Sequence, residues 1–103
     1  MAKALLETSD LEARAGDAAR LLKLLSNERR LLILCRLLAN HEVSVGELGY
    51  EAGIGQSSLS QHLAKMRAGG MVTTRRAAQT IYYRIADHNI GALVRVLKDL
   101  YYP

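Results

Sequence analysis

Between Ile54 and Gly70 the chain reads IGQSSLSQHLAKMRAGG, a stretch that gathers Gln56, Ser57, Ser58, Ser60, Gln61, Lys65 and Arg67 without one acidic residue. Amides and hydroxyls both donate and accept hydrogen bonds, a glutamine amide can pair through two bonds with an adenine edge, and lysine and arginine suit phosphate oxygens. That chemistry is recognition of a nucleic acid. Gln61 is the foremost candidate base reader, Gln56, Ser57, Ser58 and Ser60 are candidates for the major groove, and Lys65 and Arg67 for the backbone. The alternative for each is plain solvation and, for Ser57 and Ser58, capping of a helix N-terminus. Arg75, Arg76 and Gln79 follow closely as phosphate or minor-groove candidates.

Other chemistry is sparsely represented. No nucleophile has a base and an orienting partner at a recognisable spacing, and there is no glycine loop to cradle a phosphate, so an enzyme is not expected. His41, His62 and His88 lack ligand spacing, and neither a metal nor a cofactor is expected. Cys35 is the only cysteine. It cannot form an internal disulfide, and it reads either as a small core residue or as a lone redox sensor.

Helices must carry these groups. In 54–70, Leu59, Leu63 and Met66 recur at helical spacing and turn Ser57, Gln61, Ala64, Lys65 and Ala68 outward, with His62 between the faces as a packing residue. Upstream, Ser44 and Glu47 have capping-box spacing and open a short helix that ends by Gly53, with Val45, Leu48 and Ala52 inward. Two helices joined by a tight glycine turn form a helix-turn-helix. Before it, a helix is expected from about Asn27 to Ala39, with Leu31, Leu32, Leu34, Cys35 and Leu38 covering more than one face. An earlier helix is expected from a Ser9/Glu12 capping box.

Downstream, Gly69 and Gly70 stop the helix, and MVTTRR and TIYYRI alternate with period two around Ala77, Ala78 and Gln79. The pattern predicts a β-hairpin with Val72 and Thr74 on one face and Ile81, Tyr83 and Ile85 on one face of the partner strand. A last helix begins near Asp87. The expected fold is mainly α with a small β-hairpin, in the order α-α-α-α-β-β-α. Leu11, Ala15, Ala18 and Leu22 of the first helix, with Leu93, Leu97, Leu100 and Tyr101 of the last, give more apolar stripe than one small core needs. They are read as the interface of a homodimer, the competing reading being that the two helices pack on each other.

Size and charge agree. The 103 residues suit one domain spanning 1–103, and helix-favouring Leu and Ala dominate a chain with no Phe or Trp. Residues 1–54 hold seven Lys/Arg and eight Asp/Glu, whereas residues 55–86 hold five Lys/Arg and no acid, so the excess positive charge is concentrated around the candidate site. No apolar run approaches the ~20 residues of a membrane span, and MAKALLETSD lacks a secretory apolar region, so a cytoplasmic protein is expected with no membrane partner.

Three segments together, LLKLLSNERRLLIL, VSVGELGYEAGIGQSSLSQHLAKMRAGGMV and TRRAAQTIYYRI, resemble winged-helix repressors of the ArsR/SmtB family over nearly the whole chain. The resemblance implies a homodimer that binds a palindrome in double-stranded promoter DNA and releases it on a signal. TRRAAQTIYY is most similar to the persulfide-sensing BigR/SqrR type and to the NolR type. In the former, one cysteine lies on the second helix, where Cys35 falls, and another near the end of the last, where this chain has Tyr102. The metal-binding patterns of other branches are not matched: Asp87 is followed directly by His88, and the third helix contains no cysteine.

Overall fold

The computed structural model describes residues 8–101, which form α1 (Thr8–Leu25), α2 (Glu28–Asn40), β1 (Val43–Ser44), α3 (Val45–Ala52), α4 (Gln56–Ala68), β2 (Val72–Ala77), β3 (Thr80–Ile85) and α5 (His88–Tyr101). Tyr102 lies outside the described residues. The expected order of helices and hairpin is present. α1 already includes Ser9, so Ser9 is a helical residue and not the cap; Gly16 is accommodated in its interior.

Local signals set the other boundaries. The Asn27 side chain accepts hydrogen bonds from the backbone N–H groups of Arg29 (3.0 Å) and Arg30 (3.2 Å), satisfying two donors at the start of α2. Ser44 accepts from the Glu47 N–H at 3.3 Å and caps α3. The reciprocal half of the capping box is replaced by a contact of 3.1 Å between the Ser44 hydroxyl and the Glu47 carboxylate, Ser44 being also the strand residue paired with Tyr82. Asp87 accepts from the Asn89 N–H at 2.6 Å and opens α5. At the other end of α4, Gly70 takes φ 76°, its N–H reaches the Arg67 carbonyl, and the Met71 N–H reaches the Met66 carbonyl. This double closure needs a left-handed residue, which glycine supplies at least cost.

The core is built around α2. Ile33, Leu34 and Leu37 are almost fully buried, with Leu48 of α3, Leu63 and Met66 of α4, Met71 and Val94 of α5. The deepest stripe thus runs through Ile33, whereas Leu31, Cys35 and Leu38 are half-buried and pack around it, and Leu32 is half-buried as well. Each fully buried aliphatic side chain contributes roughly 1.5–3 kcal/mol by leaving water.

The sheet is larger than the predicted hairpin. β1 adds a third antiparallel strand, in the order β1-β3-β2, pairing Val43 with Tyr83 and Ser44 with Tyr82. β2 and β3 pair from Val72 with Ile85 to Ala77 with Thr80, leaving a two-residue turn of Ala78 and Gln79. Val72, Thr74, Tyr83 and Ile85 share the face toward the core, as the alternation predicts. Ala78 alone of the turn pair has positive φ (56°), the signature of a type II′ rather than a type I′ turn. An alanine there carries a Cβ clash that glycine lacks. Ala78→Gly is therefore expected to stabilise the fold by about 1 kcal/mol, read as a higher urea midpoint at fixed protein concentration with an unchanged slope.

Candidate nucleic-acid interface

α4 is held by one side and free on the other. Leu59, Leu63 and Met66 are at most 3% exposed, whereas Gln56, Ser57, Ser58, Ser60, Gln61, Lys65 and Arg67 are all exposed. The approach of α3 to α4 depends on Gly49: a Cβ there would lie 3.1 Å from Leu59 Cδ2. Gly53, left-handed at φ 64° and ψ 36°, closes α3 and lets the chain turn. Gly55 occupies the N-cap of α4 and no side chain caps it. Ser57 and Ser58 are therefore not spent on capping, and the first N–H groups of the helix, at its positive end, receive no side-chain cap.

His62 is half-buried between the faces, as its angular position predicts. Its Nδ1 accepts a hydrogen bond from Arg30 Nε at 3.3 Å, while the same guanidinium donates through Nη1 to the Leu24 carbonyl at 3.0 Å. One α2 side chain thereby ties the end of α1 to the middle of α4. Arg29 makes a similar link to the end of α3, donating to the Ala52 carbonyl at 3.3 Å. Neither arginine link has a signature in spacing.

Beyond α4, β2 and β3 form a wing whose tip exposes Arg76 and Gln79. Arg75 is exposed as well, but it is engaged. Its Nε and Nη2 donate to the two carboxylate oxygens of Glu42 at 3.0 and 2.7 Å, and its guanidinium lies 4.8 Å from the Tyr82 ring centre. The hydrogen bond from Arg75, reinforced by the charges of Arg75, Arg84 and His41, holds the Glu42 carboxyl below its ordinary value. Sequence reading missed this acid because it lies far from the 55–86 window; pairing of β1 with β3 brings it onto the wing.

The other candidates fall elsewhere. Cys35 is half-buried on α2, at an open groove of about 520 Å³ between α2 and α5 that Leu31, Leu97, Lys98 and Tyr101 also line. On α1, Leu11, Ala15, Ala18 and Leu22 are exposed, as are Leu100 and Tyr101 on α5; Leu93 and Leu97 are half-buried, Leu93 against the chain's own core. Leu11, Leu22, Leu100 and Tyr101 are each more than half exposed, so the terminal helices do not cover one another's stripes. Among the described residues there is no group of three His, Cys, Asp or Glu able to hold a metal ion, and no helix is long and apolar enough to cross a membrane.

A helix-turn-helix whose second helix presents a polar, acid-free face, followed by a basic hairpin, defines a winged helix-turn-helix regulator. Residues 27–74 match the model of the bacterial regulatory proteins of the arsR family. The transcriptional activator HlyU of Vibrio cholerae is 47% identical over 92 residues, covering 89% of this chain and 84% of that protein. The structure of the transcriptional repressor BigR from Xylella fastidiosa superposes with a TM-score of 0.82 at 41% identity, covering 95% of this chain and 99% of that one. A homodimeric winged helix-turn-helix DNA-binding domain from Mycobacterium bovis, a possible ArsR-family regulator, gives 0.80 at 30% identity, covering 91% and 86%. The chain belongs to the arsR family of bacterial transcriptional regulators.

His62 also yields a pH dependence. Burial, followed by the charges of Arg30, Lys65 and Arg29, holds it below its ordinary 6.5. The unfolded chain then binds more protons in the window between the lowered folded value and 6.5, so stability increases with pH through that window. His62's contribution is fully present above 6.5 and is lost as pH falls through the folded value. Urea midpoints measured across this range should decline toward acid, and His62→Gln should flatten that decline; an unchanged pH profile in the variant refutes the assignment.

Proposed function

We propose that this protein is a transcriptional repressor that binds a palindrome in double-stranded promoter DNA as a homodimer, in the cytoplasm, and acts by occupancy rather than catalysis. The observation that carries the reading is the outer face of α4: uncapped at its N-terminus, polar and acid-free along its length, and flanked by a basic wing. In this reading Gln61 reads a base edge, Gln56, Ser57, Ser58 and Ser60 contact bases or phosphates, and Lys65, Arg67, Arg76 and Gln79 hold the backbone or minor groove. Arg75 stands apart because its Nε and Nη2 already bind the Glu42 carboxylate.

The homodimer rests on the uncovered apolar stripes of α1 and α5, and on likeness to a domain described as homodimeric. A second copy covers Leu11, Ala15, Ala18 and Leu22 together with the outer positions Leu97, Leu100 and Tyr101, while Leu93 supports the interface from beneath. Two recognition helices related by a two-fold axis suit a palindrome. Release runs through Cys35 at the groove between α2 and α5: its thiolate attacks a sulfur of a polysulfide, the S–S bond attacked breaks, Cys35 becomes a persulfide or mixed disulfide, and the shortened polysulfide leaves.

Gel shifts on duplex DNA across a salt series test the core of the reading, and absence of sequence preference at every salt overturns it. Gln61→Ala should lose about 1–3 kcal/mol of discrimination at particular base pairs in a binding selection, whereas Lys65→Ala should weaken all sequences alike. Leu100→Asp should shift sedimentation toward monomer and lower affinity for a full palindrome by about tenfold or more, since each 1.4 kcal/mol lost is a factor of ten. Cys35→Ser should keep the native affinity and lose its response to polysulfide; an equal response in both proteins removes Cys35 as the sensor.

A further inference from the structure

The turn that leads from α2 into β1 is strained. His41 has φ 63° and ψ −55°, and the Glu42 N–H donates to the Asn40 carbonyl at 2.6 Å across it. That is a γ-turn with positive φ at its centre, the rarer and less favourable kind. It is followed at once by Glu42, then by Val43 and Ser44 locked to β3. Glu42 is thus delivered to the outer face of the sheet, where Arg75, Tyr82 and Arg84 stand, and there it binds Arg75 through both carboxylate oxygens. The Tyr82 ring backs the guanidinium from the paired position on β3. Salt bridges between exposed groups contribute little to stability. The consequence of this one lies in position and charge.

We propose that Glu42 is a positioning residue of the DNA interface: it clamps Arg75 to the base of the wing, fixing the wing against the helix-turn-helix unit and withholding the Arg75 charge from phosphate, so that Arg76 carries the wing's backbone contact. The inference rests on the DNA-binding reading above. Its basis in the structure is an asymmetry between neighbours. Arg76 is exposed near the tip, on the opposite strand face, with no hydrogen-bond partner among the described residues, whereas Arg75 commits Nε and Nη2 to a carboxylate that also offsets its charge. An acid held beside the wing also opposes approach of phosphate at that spot, which confines the favourable potential to the tip and to α4.

Salt dependence separates a clamp from a contact, because each phosphate neutralised on duplex DNA contributes about 0.9 to the slope of log affinity against log salt. The test is fluorescence anisotropy on a selected operator at several salt concentrations with Glu42→Gln, Arg75→Gln, Arg76→Gln and the double variant Glu42→Gln/Arg75→Gln. Circular dichroism verifies the fold of each. Arg76→Gln should lower the slope by about 0.9 per wing engaged. Glu42→Gln should raise it by a similar amount as Arg75 is released to phosphate, and the double variant should return to the native slope. If Arg75→Gln lowers the slope as much as Arg76→Gln while Glu42→Gln leaves it unchanged, Arg75 is a phosphate contact and the clamp is overturned. Lys65→Ala on α4 is the control for the underlying reading: it lowers the slope whichever way the wing behaves. Absence of sequence-selective binding to duplex DNA at every salt concentration overturns DNA binding itself, and the role of Glu42 with it; a slope that Lys65→Ala lowers but neither Glu42→Gln nor Arg76→Gln moves overturns the clamp alone.

Discussion

Ile33, Leu34 and Leu37 leave α2 toward the one volume that α3, α4, α5 and the sheet all border, and their burial sets the position of each of those elements. Apolar burial has no direction of its own, so it brings these helices together without fixing their relative rotation. Directional bonds from the same helix complete the arrangement. Arg29 reaches the last turn of α3, and Arg30 reaches both the last turn of α1 and His62 of α4. A single helix therefore supplies both the apolar seat and the polar struts on which the proposed recognition surface rests.

The recognition surface is correspondingly economical. α4 buries three large side chains and exposes short ones, Ser57, Ser58, Ser60, Ala64 and Ala68, between the polar Gln56, Gln61, Lys65 and Arg67, which leaves its backbone accessible to a polyanion. Rigidity comes from its ends: a close glycine contact with α3 before it and a left-handed glycine after it. The chain then runs through Met71 directly into the wing, with Met71 fully buried, so helix and wing share an anchor. The two parts of the interface are fixed to one another by the core, and β1 adds a second tie from the opposite side of the sheet.

Much of this was legible in the residues, and the parts that were not share a cause. Leu59, Leu63 and Met66 repeat at helical spacing, Asn27 and Ser44 occur at cap positions, and the β2/β3 alternation puts Tyr83 inward; each is a local signal spanning several residues. β1 has only two residues, too few to display a period, and its pairing partner lies some forty positions away. Glu42 belongs in sequence to an acid-balanced half of the chain and joins the basic wing only through that pairing. The choice of Ile33 over its half-buried leucine neighbours as the deepest residue is set by where α3 and the sheet close over α2. Ser9 misled because a capping spacing recurs inside helices, where no terminus needs it.

The β2/β3 register carries a consequence for how wings of this type can diverge. Arg75 and Arg76 are adjacent, so they project from opposite faces of the hairpin, one toward Glu42 and one away from it. Adding a single residue to β2 below them exchanges those faces, moving Arg76 to the side of the acid but two positions nearer the tip than Arg75 had been, and releasing Arg75, because side chains alternate with period two. Adding one residue to each strand extends the tip by about 3.3 Å but also reverses which face meets the core. Two per strand restore the faces and lengthen the reach by roughly 7 Å. Length variation in the wing is thus subject to a parity rule: even steps change how far it reaches, and odd steps change which charge it offers.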